Sequence, residues 1–198
     1  MMNKKAGIVT TVIIIVVVFL LGILYTVVSY NKFVSLSVDV DSKWSEVENQ
    51  YQRQADLIPN IVSTVSSAVR VETKFVEDVI AARTRWTQAT TQLEKDTAGV
   101  EMTQNINSLI RVAATAEDYP ELQANQQYTM LIDELAGTQN RITTARGRYI
   151  ESIQKYNVAV KKFPSNIIAN LFGYDDKEYY TAAPGSLDTP VLGNGTLP

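Results

Sequence analysis

A run of 25 residues without a charge, Ala6 to Tyr30, constrains this chain more than any other feature. Sixteen of them are Ile, Val, Leu or Phe. As a helix the run spans roughly 37 Å, against a bilayer hydrocarbon core of about 30 Å. At about 0.3 to 0.6 kcal/mol for each large apolar residue near the centre, insertion gains roughly 5 to 10 kcal/mol. The run is therefore read as a transmembrane helix over residues 6–30, after a short tail at 1–5. A cleaved signal peptide is the alternative, with Lys4 and Lys5 as its basic end and Val27-Val28-Ser29 as a tolerable cut, but its apolar part would be unusually long. Lys4, Lys5 and the amino terminus on one side outweigh Lys32 and Lys43 on the other only slightly. This favours a cytoplasmic N-terminus with the rest outside the membrane.

The chain contains no His and no Cys. That removes Ser-His-Asp and Cys-His nucleophiles, imidazole and thiolate metal ligands, and disulfides. No cofactor is expected, since no Gly-rich phosphate loop is present and a carboxylate-bridged di-metal bundle would lack its Glu-x-x-His pairs. Only Lys4 and Lys5 are charged in the first thirty residues, so the other 168 carry 16 basic and 21 acidic groups. A net negative domain argues against nucleic acid as a partner.

Beyond Tyr30 the apolar residues recur at alternating steps of three and four, and Gly99 is the one glycine before Gly137. This is helical-bundle periodicity. The stripe Phe33, Ser37, Val40, Trp44, Val47, Tyr51 continues from the membrane run without a linker, so the first soluble helix, about 31–56, is expected to extend the transmembrane one. Pro59 lacks a backbone N–H and disfavours a helical Ile58, which predicts a turn or sharp kink near 55–59. A second helix is then expected over 59–95, a loop over 94–103 around Asp96, Thr97 and Gly99, a third helix over 103–118 and a fourth over 124–163. The fourth carries Tyr128, Leu135, Thr138, Ile142, Ala145, Tyr149, Ser152, Tyr156, Ala159 and Phe163 at heptad spacing. A short helix follows at 165–172. The bundle thus covers 31–173, and 174–198, rich in Pro and Gly at its end, reads as an irregular tail. The fold class expected is all-α, an N-terminal transmembrane helix continuing into an antiparallel bundle of about four long helices.

Several stretches carry a resemblance to a known family. They are Tyr30-Asn31-Lys32-Phe33-Val34, Arg53-Gln54-Ala55-Asp56-Leu57-Ile58-Pro59-Asn60-Ile61-Val62, Glu72 with Ala82-Arg83, Tyr119-Pro120-Glu121-Leu122, and Ala145-Arg146 through Tyr156-Asn157 to Phe163-Pro164-Ser165. In order and spacing the chain resembles the LemA family over roughly residues 28–180. Gln139 departs from the Glu usual there, and Ile150 interrupts a Tyr-Asn pair. The resemblance implies a membrane-anchored long-helix bundle with no established catalytic activity.

Glu72 and Arg83 fall inside the apolar stripe, where an unpartnered ion would cost several kcal/mol. Arg53, Asp56, Arg141 and Arg146 are candidate partners, in a buried network that either fixes helix register or binds a ligand. If a hairpin formed about residue 57, Arg83, Arg85 and Trp86 would return to headgroup level, where Trp86 would contact the membrane; otherwise it packs in the bundle. Ile167, Ile168, Leu171 and Phe172 either cap the bundle or enter the membrane interface. Asn194 heads the sequon Asn194-Gly195-Thr196, a possible glycosylation site. Two functions are compatible with this inventory. One is a single-pass envelope scaffold or adaptor without catalytic activity, whose partners are the lipid bilayer and further copies of itself or other membrane proteins. The other is a sensor binding a small ligand or lipid headgroup.

Overall fold

A computed structural model of the chain describes residues 2–68, 73–115 and 125–178. Five α-helices and no strand occur among them: α1 Met2–Ala68, α2 Thr73–Gln88, α3 Gln92–Thr115, α4 Gln126–Lys161 and α5 Ser165–Phe172. These described residues divide into two compact units, one of 2–42 with 150–178 and one drawn from 43–149. Both α1 and α4 contribute to each.

The second unit is an up-down-up-down arrangement of four helices. Contacts between α1 and α4 descend in register, from Trp44 against Tyr149 through Tyr51 near Arg146 to Arg53 with Glu134, so the two are antiparallel. In contrast, α3 ascends with α1, pairing Lys95 with Glu48 and Thr103 with Gln54. The α2 helix descends against α3, through Arg85 with Glu101 and Asn105 with the Asp78 carbonyl. Its core is built from Trp44, Val47, Tyr51, Ile58 and Val65 of α1, Val79, Ala82 and Trp86 of α2, Met102, Ile106 and Leu109 of α3, and Leu135, Ile142 and Ala145 of α4, all buried.

The helix boundaries correct the sequence reading in three places. No turn or break occurs near 55–59, because α1 runs through Pro59 to Ala68. The buried positions Tyr51, Ala55, Ile58, Ile61 and Val65 keep one helical phase across it. The segment 94–103 is helix rather than loop, and the chain instead turns at 89–91. Thr91 and Glu94 explain the second change. The Glu94 amide donates to the Thr91 hydroxyl at 3.2 Å, while Glu94 Oε2 accepts from the Thr90 and Thr91 amides at 3.1 Å each. This is a capping box, and those amides hold the Glu94 carboxyl below its ordinary pKa. Phe163 is the third correction: it leaves the heptad seam and is 75% exposed.

In the first unit, α1 carries the apolar run. Its 18-residue window of highest mean hydropathy, 3.1, is not buried at all by the described residues. A soluble core helix would be covered, so the exposed run is a candidate membrane-spanning segment. Beyond the run, Phe33 and Val40 are buried, as are Ile153, Tyr156 and Val160 of α4. After α5, Gly173 takes a left-handed φ of 72° and its N–H donates to the Ala169 carbonyl, ending the helix. The following strip is tied to α4. The Tyr156 hydroxyl donates to the Asp175 carbonyl at 3.0 Å, and the Asn157 amide bonds both the carbonyl and the N–H of Lys177 at 2.7 and 2.9 Å.

Candidate functional site

The residues singled out for chemistry separate into small clusters, each with an intramolecular task. Arg83 is half-buried on α2, and its Nε donates to the Ala55 carbonyl at 3.0 Å. Ala55 stands four residues before Pro59, so its carbonyl is the one that loses its helical donor there. Arg83 supplies the missing N–H from another helix. That single contact accounts both for the uninterrupted α1 and for a cation set into an apolar stripe. Arg83 therefore needs no carboxylate partner. Glu72 lies outside the described residues.

Arg146 belongs to a second cluster, on the far side of a Tyr that the sequence reading placed only in the core. Its Nη1 donates to the Tyr51 hydroxyl at 3.5 Å, and its Nε lies 3.8 Å from Asp96 Oδ1. Tyr51 in turn donates to Asp96 Oδ1 at 3.5 Å. Asp96 is 1% exposed, and its Oδ2 accepts no hydrogen bond from the described residues. Burial pushes the Asp96 carboxyl up to about 6, against the opposing pull of Arg146. Burial, reinforced by Asp96, likewise holds the Tyr51 hydroxyl well above its ordinary value. Gly99 completes the setting: a Cβ there would lie 2.7 Å from the Tyr51 ring. Glycine thus sits inside α3 because an aromatic ring from α1 occupies the space. Asp96, Tyr51 and Gly99 were missed as a unit because they are far apart in the chain, and only the helical phase of 92–103 could have aligned them.

Arg53 and Asp56 are not part of a buried network. Arg53 is 54% exposed and pairs with Glu134 at 2.7 Å, a carboxylate it shares with Arg141 at 3.5 Å. Asp56 is exposed and accepts from Gln52 at 2.7 Å. Exposed pairs of this kind contribute about 0 to 1 kcal/mol. Gln139, where a carboxylate is usual in the resembling family, is neutral and hydrogen-bonds Asn107 at 2.8 Å. A groove of about 390 Å³ between α1 and α4 is lined by Glu46, Gln50, Asn140, Arg141 and Arg148 among others. Both arginines are already paired there, Arg148 with Glu46 at 3.7 Å and Arg141 with Glu134.

The membrane-contact candidates separate as well. Trp86 is 4% exposed, with Lys95 over its ring at 5.6 Å, so it is a core residue of the bundle and not a membrane contact. The turn at 57 that would have carried it to headgroup level is absent. On α5, Ile168 is half-buried beside the buried Ala169, whereas Ile167, Leu171 and Phe172 are exposed. The Phe172 ring meets the Tyr30 ring edge-on at 5.2 Å, and Tyr174 lies at 5.8 Å from Tyr30 and 5.2 Å from Phe33. Asn194 lies outside the described residues.

These helices, with their cross-helix polar contacts, can be set against known proteins. The sequence profile of the LemA family matches residues 43–191, three quarters of the chain. The chain belongs to the LemA family. Among curated relatives of this LemA-family chain, magnetosome protein MamQ 2 of Paramagnetospirillum magneticum is 27% identical over 186 residues, covering 82% of this chain and 68% of the relative. Magnetosome protein MamQ of Magnetospirillum gryphiswaldense is 26% identical over the same shares of the two chains.

Proposed function

We propose that this LemA-family chain is a single-pass membrane protein that acts as an envelope scaffold or adaptor, without catalysis, by presenting its helix bundle to further copies of itself and to neighbouring membrane proteins. The observation that carries the proposal is where its candidate functional groups are used. Arg83 serves the Ala55 carbonyl, Arg146 and Asp96 serve Tyr51, and Arg53 bridges to Glu134, so each holds helices to one another. The names of the two relatives call them magnetosome proteins, which supports a membrane-associated role. The lysine balance about the membrane run favours a cytoplasmic N-terminus and an external bundle.

Photo-crosslinking in intact membranes tests the proposal, with a photoreactive residue at the exposed positions Ser108 and Met130. Discrete adducts containing a second copy or defined membrane neighbours are expected; uncrosslinked monomer from both positions would contradict it. Orientation is read from the same Cys-free chain by labelling Ser108→Cys with an impermeant maleimide in intact cells. Labelling before lysis is expected, and labelling only after lysis would reverse the topology.

A sensor function is the second reading, and the groove holding the buried, unpartnered Gln50 Oε1 is its observation. Its occupant would have to displace existing arginine pairs. Equal melting of the wild type and Gln50→Leu across a panel of small carboxylates and phosphates would remove it.

A further inference from the structure

The short helix α5 has two apolar sides with different fates. Ile168 and Ala169 turn inward, and Phe172 leans on Tyr30. Phe163 lies in the turn just before α5, and Ile167 and Leu171, four residues apart on α5, share one of its sides. The three are 75, 56 and 72% exposed. These three exposed apolar side chains, one just before and two on a helix without a charge, make a row of apolar surface that water does not favour.

The position of that row follows from α1. A hydrocarbon core of about 30 Å takes up about twenty residues, so centring the run from Ala6 to Tyr30 leaves Tyr30 roughly 4 Å outside it. That depth is the headgroup layer, where Tyr is favoured. Phe172, with its ring 5.2 Å from that of Tyr30, shares the layer. Exposed Lys32 and Lys162 flank the two elements and suit the phosphates there.

We propose that α5 is a second, non-spanning membrane contact, which seats Phe163, Ile167 and Leu171 at the boundary between headgroups and acyl chains of the leaflet from which α1 emerges. The occupant of the row is lipid, because the row is continuous through Phe172 and Tyr30 with a segment that crosses the bilayer. Its consequence is orientational. One helix through a membrane can rotate about its axis and tilt, whereas a helix plus a lateral foot fixes both. Such fixing needs no neighbour to meet the bundle, so it stands apart from the scaffold reading.

The test uses the full chain in phospholipid nanodiscs, with an environment-sensitive fluorophore on Leu171→Cys and, as a water-exposed reference on α4, on Glu151→Cys. The native chain has no competing thiol. At Leu171→Cys, emission should shift to the blue, a lipid carrying its quencher near the top of the acyl chain should quench more than one carrying it near the methyl end, and iodide quenching should fall about threefold or more below the reference. Iodide quenching equal to the reference, with no lipid quenching, would overturn the proposal. So would efficient disulfide formation between two copies of unlabelled Leu171→Cys, which would make a second copy the occupant. Ile167→Cys repeats the measurement at a second position of the row, and its agreement guards against a local effect of the label.

Discussion

Replacing Arg83 by Met should destabilise the bundle through a carbonyl 28 residues away in sequence. The change keeps most of the apolar stem and removes the donor to Ala55, which is itself 1% exposed. A hydrogen bond from a charged group is worth about 1.5 to 3 kcal/mol, and a buried carbonyl left without a donor costs about 1 to 3 kcal/mol. The expected loss for Arg83→Met is therefore about 2 kcal/mol. Pro59→Ala supplies the control that isolates the mechanism. An alanine N–H at position 59 would take the Ala55 carbonyl as an ordinary helical donor, so Arg83 becomes redundant there. In the Pro59→Ala background the cost of Arg83→Met should fall below about 1 kcal/mol, giving a coupling of about 1 to 2 kcal/mol between residues that do not adjoin in sequence. Urea unfolding of the four proteins in detergent micelles, followed by helical circular dichroism, measures the cycle. An Arg83→Met cost that is the same with and without Pro59 would refute the reasoning, since Arg83 would then act by packing alone.

Three further outcomes follow from the buried contacts. Gly99→Ala should destabilise by about 1 to 3 kcal/mol although alanine is the better helix former, because its Cβ meets the Tyr51 ring, and Tyr51→Leu should relieve most of that cost in the double variant. Asp96 has a folded pKa raised to about 6 from an ordinary 3.8, so the folded state binds the extra proton between those values, and its contribution to stability falls as pH rises from about 4 through 6. Lowering pH from 7 to 5 should thus favour the wild type relative to Asp96→Asn, by about 1 to 2 kcal/mol in paired denaturation curves; a difference that is flat with pH, or grows in the opposite sense, would contradict the assignment. Thr91→Ala should remove the cap of α3 and cost about 1 kcal/mol, seen first as faster amide exchange in its opening turn.

The membrane helix, the heptad seam of α4 and the all-α class were legible because each rests on periodicity or length, which a sequence displays directly. Pro59 misled because a local rule was applied to a position whose outcome is tertiary. Its orphaned carbonyl is satisfied by Arg83, and nothing adjacent in the chain announces that. The unbroken phase from Tyr51 through Ile58 to Val65 was the signal for a continuous helix, and it was overridden by proline chemistry. Gly99 and Asp96 misled for the same reason, since both look like loop residues until the Tyr51 ring and Arg146 stand beside them. Thr91-Gln92-Leu93-Glu94 differs: it is a capping box in plain sequence, and it marks the start of α3 where a long second helix was expected to continue. The membrane-contact residues divided by burial, which periodicity on an eight-residue helix cannot assign; Trp86, well embedded in its stripe, already fitted the core.

The central claim is that the chain works by assembling in the membrane, and its copy number there tests that most directly. Native mass measurement of the full chain in lipid nanodiscs excised from its own membrane should give a defined multiple of the 22.0 kDa protomer, alone or with stoichiometric neighbours. A single protomer surrounded by lipid, at every expression level, would contradict it.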